Sequence, residues 1–392
     1  MPPTELLISA GEASGDMYAA RLARALRQRA DVRLFGMGGP RMREAGVEIV
    51  VDSAEVGVAG IFEVLQKIPA LRRAMRRLRA EARRRRPPLA ILTDFPGFHL
   101  RLARTLHGRG VRNVYFICPQ FWAWRPWRVN LVRRRFVRGL CLFPFETDFY
   151  RQAGVAADWI GHPLVGEARA TLTRAEFAAR HGLDPARPII TILPGSRHSE
   201  LAHHMPRLMQ AVARLSTAPK PQPDRQFVLA VAPGLSRAQL ERYLPPVQAL
   251  VHVVEDATYD ALAAADVAIV SSGTATIEAA LLGVPMVVIY RVSPATAWIA
   301  RRLMRAPYIA MPNLIAGKPV VPELIQEAFS PDEVAREVEH LLASPEARAA
   351  MQRELAEVAR RLGPPGAIDR AADLIASMIT NDGHSQRSEE SL

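Results

Sequence analysis

Between Val267 and Tyr290 the chain reads VAIVSSGTATIEAALLGVPMVVIY, and this stretch restricts the fold more than any other. Four consecutive apolar residues, Val267 to Val270, leave no polar face, so they suit a strand buried on both sides. SSGTAT suits a tight strand-to-helix turn, Ile277 to Leu282 a helix stopped by Gly283 and Pro285, and Met286 to Tyr290 the next strand. In such a unit Gly273 lets the backbone approach a bound group. Ser272, Thr274 and Thr276, with Ala275 between the threonines, bring hydroxyls beside the unpaired N–H groups of the helix N-terminus, which suits a phosphate. Glu278 lies one turn further in, where a carboxylate repels phosphate but accepts hydrogen bonds from two sugar hydroxyls. A nucleoside diphosphate presents both needs. An ordinary capped helix between two strands fits the same residues equally well.

The same alternation recurs along the chain. Leu6 to Ala10 is a short apolar strand followed by GEASGD and a helical pattern. Its G-x-x-x-G spacing is not that of a dinucleotide loop, and Glu12 and Asp16 oppose a pyrophosphate, so Glu12, Ser14, Gly15 and Asp16 suit hydroxyls instead. A strand at Val32 to Phe35 runs into GMGGPRM, read as a loop. Leu89 to Leu92 ends at Thr93-Asp94-Phe95-Pro96, which puts Asp94 at the carboxyl end of a strand, where open α/β sheets bind ligands. Asp94 is therefore a candidate general base, with a turn or N-cap aspartate as the alternative. After a strand at Val114 to Cys118, PQFWAWRPWR holds three of the five tryptophans, Trp122, Trp124 and Trp127. That loop suits an acyl or sugar pocket, or plain packing.

The second half starts afresh with a strand at Ile189 to Leu193 and the turn Pro194-Gly195-Ser196-Arg197. Arg197 is placed to hold a phosphate bidentately together with residues 272–276, or else to be a surface arginine beside Glu200. Asn313 and Gln326 offer amides on a later loop. The fold class expected is α/β, with two Rossmann-like parallel-sheet domains facing a cleft and helices at the C-terminal end. The expected divisions are residues 1–163, 164–345, C-terminal helices 346–380, and a disordered polar tail 381–392.

Charge separates the halves. Residues 1–160 carry 28 Lys+Arg against 14 Asp+Glu, or +14, and the rest −2, giving the net +12, so the first half faces something anionic. Residues 56–86 carry Ile61, Phe62, Leu65, Ile68, Leu71, Met75 and Leu78 at roughly helical spacing, with nine arginines from Arg72 to Arg86 and Glu81 as the one acid among them. Pro69 is expected to split this stretch into two helices. An apolar stripe beside dense arginine suits a helix lying on an anionic bilayer, and equally a solvated basic face. No nucleic-acid module is recognisable. Cys118 and Cys141 lie in apolar segments without metal spacing, and no apolar run approaches the roughly 20 residues of a spanning helix. A cytoplasmic protein without metal or cofactor is expected.

Ten strings in order resemble one family, the lipid-A-disaccharide synthases: AGEASGD (10–16), GGPRM (38–42), the glycine-to-EVL segment (60–65), TDFPGF (93–98), PQFWAW (119–124), FPFE (143–146), IGHP (160–163), LPGSR (193–197), SSGTATIEAALLGVPMVVIYR (271–291) and PNLIAGKPVVPELIQ (312–326). The resemblance implies a GT-B fold and an inverting, metal-independent transfer of 2,3-diacylglucosamine from its UDP derivative to 2,3-diacylglucosamine 1-phosphate, giving lipid A disaccharide 1-phosphate and UDP. It implies a functional aspartate at Asp94, a functional arginine at Arg197, and donor contacts at Ser272 to Glu278, Asn313 and Gln326. It also implies peripheral attachment to the inner face of the inner membrane and a homodimer. The sequence departs from the family at Gly97 and His99, where a second acid and an asparagine are common, which leaves Asp94 as the lone acid of that turn. A UDP-sugar 2-epimerase is the alternative enzyme.

Overall fold

The computed structural model describes residues 3–56, 61–217, 224–245, 247–304 and 306–389; residues 61–67, 299, 300, 303 and 380–389 are described by their backbone alone. The chain divides into two units, residues 1–165 with 362–392, and residues 166–361. Each is a wholly parallel sheet wrapped by helices. This differs from the expected divisions at the C-terminal end: helix Pro345–Arg361 packs on helices Thr274–Leu281 and Met311–Ala316 of the second unit, and the chain then returns to the first.

The first unit has seven strands: β1 (Thr4–Ala10), β2 (Val32–Gly38), β3 (Glu48–Asp52), β4 (Leu89–Thr93), β5 (Arg112–Phe116), β6 (Arg138–Cys141) and β7 (Ala157–Trp159), in the order β3-β2-β1-β4-β5-β6-β7. β1 lies between β2 and β4, with Leu6 beside Leu34 and Ile8 beside Ile91, and its last five residues are buried. A strand covered on both faces needs a continuous apolar run, as LLISA nearly is. β2 continues through Gly36 to Gly38, where a loop was expected. Gly36 (φ +156°) passes so close to β1 that a Cβ would lie 1.9 Å from the Ile8 carbonyl oxygen, so its glycine serves close strand packing.

Helix Ile61–Arg85 is one helix with Pro69 inside it, not two. Ala74, Leu78 and Ala82 recur every four residues and are buried, with Leu71 and Met75 packed against the same core. An interior proline costs about 3 kcal/mol, and burial of this face is of the same order. The rear of the apolar stripe is thus core, whereas the side chains of Ile61, Phe62 and Leu65 lie outside the described residues. Arg85 is drawn inward: its guanidinium pairs with Glu5 (3.2 Å), Glu81 (2.8 Å) and Glu48 and stacks over Phe35 at 4.4 Å. The C-terminal helix Ala367–Glu389 packs on helix Ala13–Arg27, with Arg29 bridging Asp369 (2.9 Å) and Asp373 (2.5 Å). The stretch from residue 381 on, expected to be disordered, continues this helix as far as Glu389, since Gly383 is its one strong breaker.

The second unit has six strands: β8 (Ile189–Leu193), β9 (Gln226–Ala230), β10 (Val251–Val254), β11 (Val267–Ser271), β12 (Met286–Tyr290) and β13 (Glu323–Ile325), in the order β10-β9-β8-β11-β12-β13. β11 is buried throughout and sits between β8 and β12, the central place that its unbroken apolar run suits.

Candidate active site

In each sheet the strand order reverses once, between β1 and β4 and between β8 and β11. The crevice beyond the carboxyl ends of such a strand pair is where open α/β sheets take ligands. Asp94 follows β4 at the first of these points. Asp94 and Phe95 both have left-handed backbones (φ +53° and +42°), a strained choice for residues with a Cβ. Four hydrogen bonds hold it: the Asp94 carboxylate accepts from the N–H groups of Gly11 (2.9 Å) and Glu12 (3.2 Å), and its carbonyl accepts from Tyr115 Oη (2.9 Å) and His99 Nδ1 (2.9 Å). Gly15 is needed here, because a Cβ would lie 1.6 Å from Asp94 Oδ2. Desolvation, foremost, raises the Asp94 pKa well above 3.8; the Gly11 N–H opposes this, and the charges of Glu12 and Asp16 add to it. Two of the carboxylate's lone pairs remain for a ligand hydroxyl.

Two histidines of this unit are buried, and burial lowers the pKa of both. His99 is fully buried, with its Nδ1–H spent on Asp94 and its Nε2 facing Ser9 Oγ at 2.8 Å, and burial pushes its pKa to about 4. Burial does the same to His162, whose Nδ1 accepts from the Leu164 N–H at 3.2 Å. Asp16, expected to serve a ligand, is buried and accepts from the N–H groups of Gly39 (2.6 Å), Arg41 (3.1 Å) and Met42 (3.2 Å), so it anchors the start of helix Pro40–Glu44. Glu12 and Ser14 stay exposed beside Asp94's turn. The Trp122 indole donates to Glu146 at 3.0 Å, and Trp122 packs edge-on to Phe145. Glu146 is buried, and desolvation lifts it to about 7 against the hydrogen bonds from Trp122, Phe143 and Leu142.

At the second reversal the turn after β8 is braced by Glu200, one turn into helix His198–Thr217. Its carboxylate accepts from the N–H groups of Ser196 (2.9 Å) and Arg197 (3.2 Å), and Gly195 (φ +118°) leaves it room. Buried His204 ties this turn to the end of β12, through Pro194 O (2.7 Å) and the Arg291 N–H (2.9 Å). Arg197 lies half out in solvent, with Glu200 Oε1 at 3.7 Å. An arginine beside Glu200 is the alternative the sequence allowed; the bracing by Glu200 and the tie through His204 were not expected, and the acid three residues after Arg197 is the signal available for the first.

β11 runs alongside β8, with Val270 beside Leu193, so its turn opens on the same edge. Gly273 (φ +146°) starts helix Thr274–Leu281 without a side-chain cap, leaving the first N–H groups of that helix for a ligand. Glu278 is half-buried and accepts from Tyr259 Oη at 3.1 Å; burial raises its pKa and the tyrosine opposes that. Two expected hydroxyls are used internally: Thr276 donates to Gly273 O (2.7 Å) and Ser272 to Ile309 O (3.1 Å). The two amides are corrections as well. Asn313 is buried, donating to Val321 O (2.9 Å) and Glu323 (2.8 Å) and accepting from Val320 (2.7 Å) and Val321 (2.9 Å), so no part of its amide is left for a nucleotide. Gln326 pairs with the backbone of Val292 in the orientation that satisfies both, at 3.2 and 3.3 Å. Both amides shape the loop instead of reaching from it. Among the described residues, no three His, Cys, Asp or Glu side chains converge as a cation site requires.

Residues 6–371 match the family model for lipid-A-disaccharide synthetase. The chain belongs to the lipid-A-disaccharide synthase family. It is 44% identical over 380 residues to the lipid-A-disaccharide synthase of Koribacter versatilis, spanning 96% of this chain and 97% of that one. With the Geobacter sulfurreducens synthase it shares 42% over 375 residues, covering 95% and 97%. Solved structures with the same fold include a putative UDP-N-acetylglucosamine 2-epimerase from Listeria monocytogenes (TM-score 0.65, 14% identity, covering 97% of each chain) and the calicheamicin glycosyltransferase CalG4 (0.60, 16%, covering 96% and 98%). The fold is of the GT-B type, two parallel-sheet α/β units, and membership of the synthase family makes the enzyme a glycosyltransferase.

Proposed function

We propose that this member of the family makes lipid A disaccharide 1-phosphate, transferring 2,3-diacylglucosamine from UDP-2,3-diacylglucosamine to 2,3-diacylglucosamine 1-phosphate with inversion. The observation that carries it is the family match across nearly the whole chain, with a carboxylate at one strand-order reversal and a phosphate-suited turn at the other. The acceptor's 6-hydroxyl attacks the anomeric carbon from the face opposite UDP, the bond to the UDP oxygen breaks, and the hydroxyl proton passes to Asp94. Burial raises its pKa above the ordinary carboxylate value, which makes the carboxylate a stronger base than an exposed one. The leaving diphosphate takes charge-assisted hydrogen bonds from Arg197, the Gly195 N–H, the Ser196 hydroxyl and the N–H groups of Gly273, Thr274 and Ala275, while Glu278 takes the ribose hydroxyls. Glu12, Ser14 and Trp122 face the acceptor.

The basic first unit sits on the inner face of the inner membrane in this reading, with Ile61, Phe62 and Leu65 contributing the apolar contact and the C-terminal helices a homodimer contact. Among the described residues no helix is long and apolar enough to cross a membrane. The test is product analysis with each substrate alone and with both: UDP and disaccharide should form only when both are present. UDP released from the donor alone, with a free 2-epimer, would point to the epimerase chemistry named for two neighbours of the same fold.

A further inference from the structure

Three arginines on the Asp94 side of the first unit have no task in the mechanism above. Arg101 lies on helix Pro96–His107, which starts two residues after Asp94. Arg125 and Arg128 lie in the loop after β5, the strand beside β4. Both are partly buried there: Arg125 has a left-handed backbone (φ +57°) with its guanidinium 5.1 Å over Trp124, and Arg128 stacks 5.5 Å over the exposed Trp127. Some arginines of this unit are matched to acids, as Arg85 is to three glutamates and Arg29 to two aspartates, while Arg135, pressed by Arg104 and Arg134, donates to the Leu100 carbonyl at 2.8 Å. Among the described residues no acid pairs with Arg128. Among the described residues the charges acting on it are those of Arg125 and Arg101, and the opposing group is the hydroxyl of Tyr115. Partial burial and the two like charges both press its pKa down, yet an arginine stays charged. Tyr115 in turn donates to the Asp94 carbonyl, so Arg128 is within electrostatic reach of the turn that carries the base.

A positive charge kept half-buried beside two others, without a carboxylate, is unfavourable in the empty protein and is relieved by an anion. The acceptor brings one: its anomeric phosphomonoester carries close to two negative charges and sits one sugar ring from the hydroxyl that Asp94 must reach. We propose that Arg128, assisted by Arg125 and Arg101, binds the phosphomonoester of the acceptor sugar and so selects a phosphorylated acceptor. This rests on the transferase reading above. A guanidinium fork matches phosphate bidentately, and the indole of Trp127 holds its plane.

The test compares 2,3-diacylglucosamine 1-phosphate with 2,3-diacylglucosamine lacking the phosphate, in the full-length enzyme and in Arg128→Gln. The wild type should favour the phosphorylated acceptor, and R128Q should cut that preference on the order of tenfold to a hundredfold, through the acceptor KM with the donor KM unchanged. Arg128→Lys should recover part of it, since it restores charge without the fork. Equal losses on both acceptors would overturn the proposal. So would a loss that tracks weaker binding of R128Q to phosphatidylglycerol vesicles, which would assign the arginine to a lipid headgroup. Absence of disaccharide from the wild type with either acceptor would instead refute the transferase reading.

Discussion

Asp94 and Asn313 are both polar side chains that hold loops at sheet edges, yet they differ in what they have left to offer. Asp94 keeps unshared lone pairs on a carboxylate whose pKa is raised, so its removal should affect chemistry more than folding. Asp94→Ala should lower kcat by about 10²–10⁴ at saturating substrates. The base must be deprotonated to work, and burial raises the pH at which that happens. The acidic limb of the wild-type pH–rate profile should therefore lie above the ordinary 3.8 and vanish in the variant. Asn313 has no capacity to spare. Asn313→Ala leaves two N–H groups and a carbonyl without their partner, while Glu323 keeps the N–H groups of Ile309 and Ala310, and the change should cost about 2–4 kcal/mol in chemical denaturation. An amide in a loop looks the same in sequence whether it faces a ligand or its own backbone. The loops around Asn313 and Gln326 close on those amides through partners several to more than thirty residues away, and no local pattern announces that.

At the level of elements, strand cores were legible and helix roles less so. Runs such as Val267–Val270, and Ile189–Leu193 broken only by Thr191, have no place but the middle of a parallel sheet, and they lie there. Gly36 hid the length of β2, because glycine marks a loop and a close strand approach alike. Helix Ile61–Arg85 has one apolar stripe in sequence, and only the side chains of its rear part are described. From Leu71 on, the stripe is core, so Leu71→Ser with Met75→Ser should lower the thermal midpoint, by about 1–3 kcal/mol of stability. Replacing Ile61, Phe62 and Leu65 by serine should instead weaken sedimentation with anionic vesicles and leave both the midpoint and UDP binding unchanged. Loss of stability from the second set would assign those residues to the core as well.

Across the whole molecule, the return of the chain from the second unit to the first at Leu362 was not legible, because an Ala-, Glu- and Arg-rich pattern declares a helix without saying which sheet it covers. The turns after β1, β4, β8 and β11 were legible, since they carry the glycines, acids and hydroxyls by which the family is recognised, but the strand order that sets them in pairs was not. The account assigns different work to these two places: the nucleotide to the second unit and the proton to the first. Calorimetric titration of UDP into two single variants tests that division. Glu278→Ala should weaken UDP binding on the order of tenfold to a hundredfold, and Asp94→Ala should leave it unchanged. Wild-type affinity in the Glu278 variant together with a comparable loss in the Asp94 variant would contradict it.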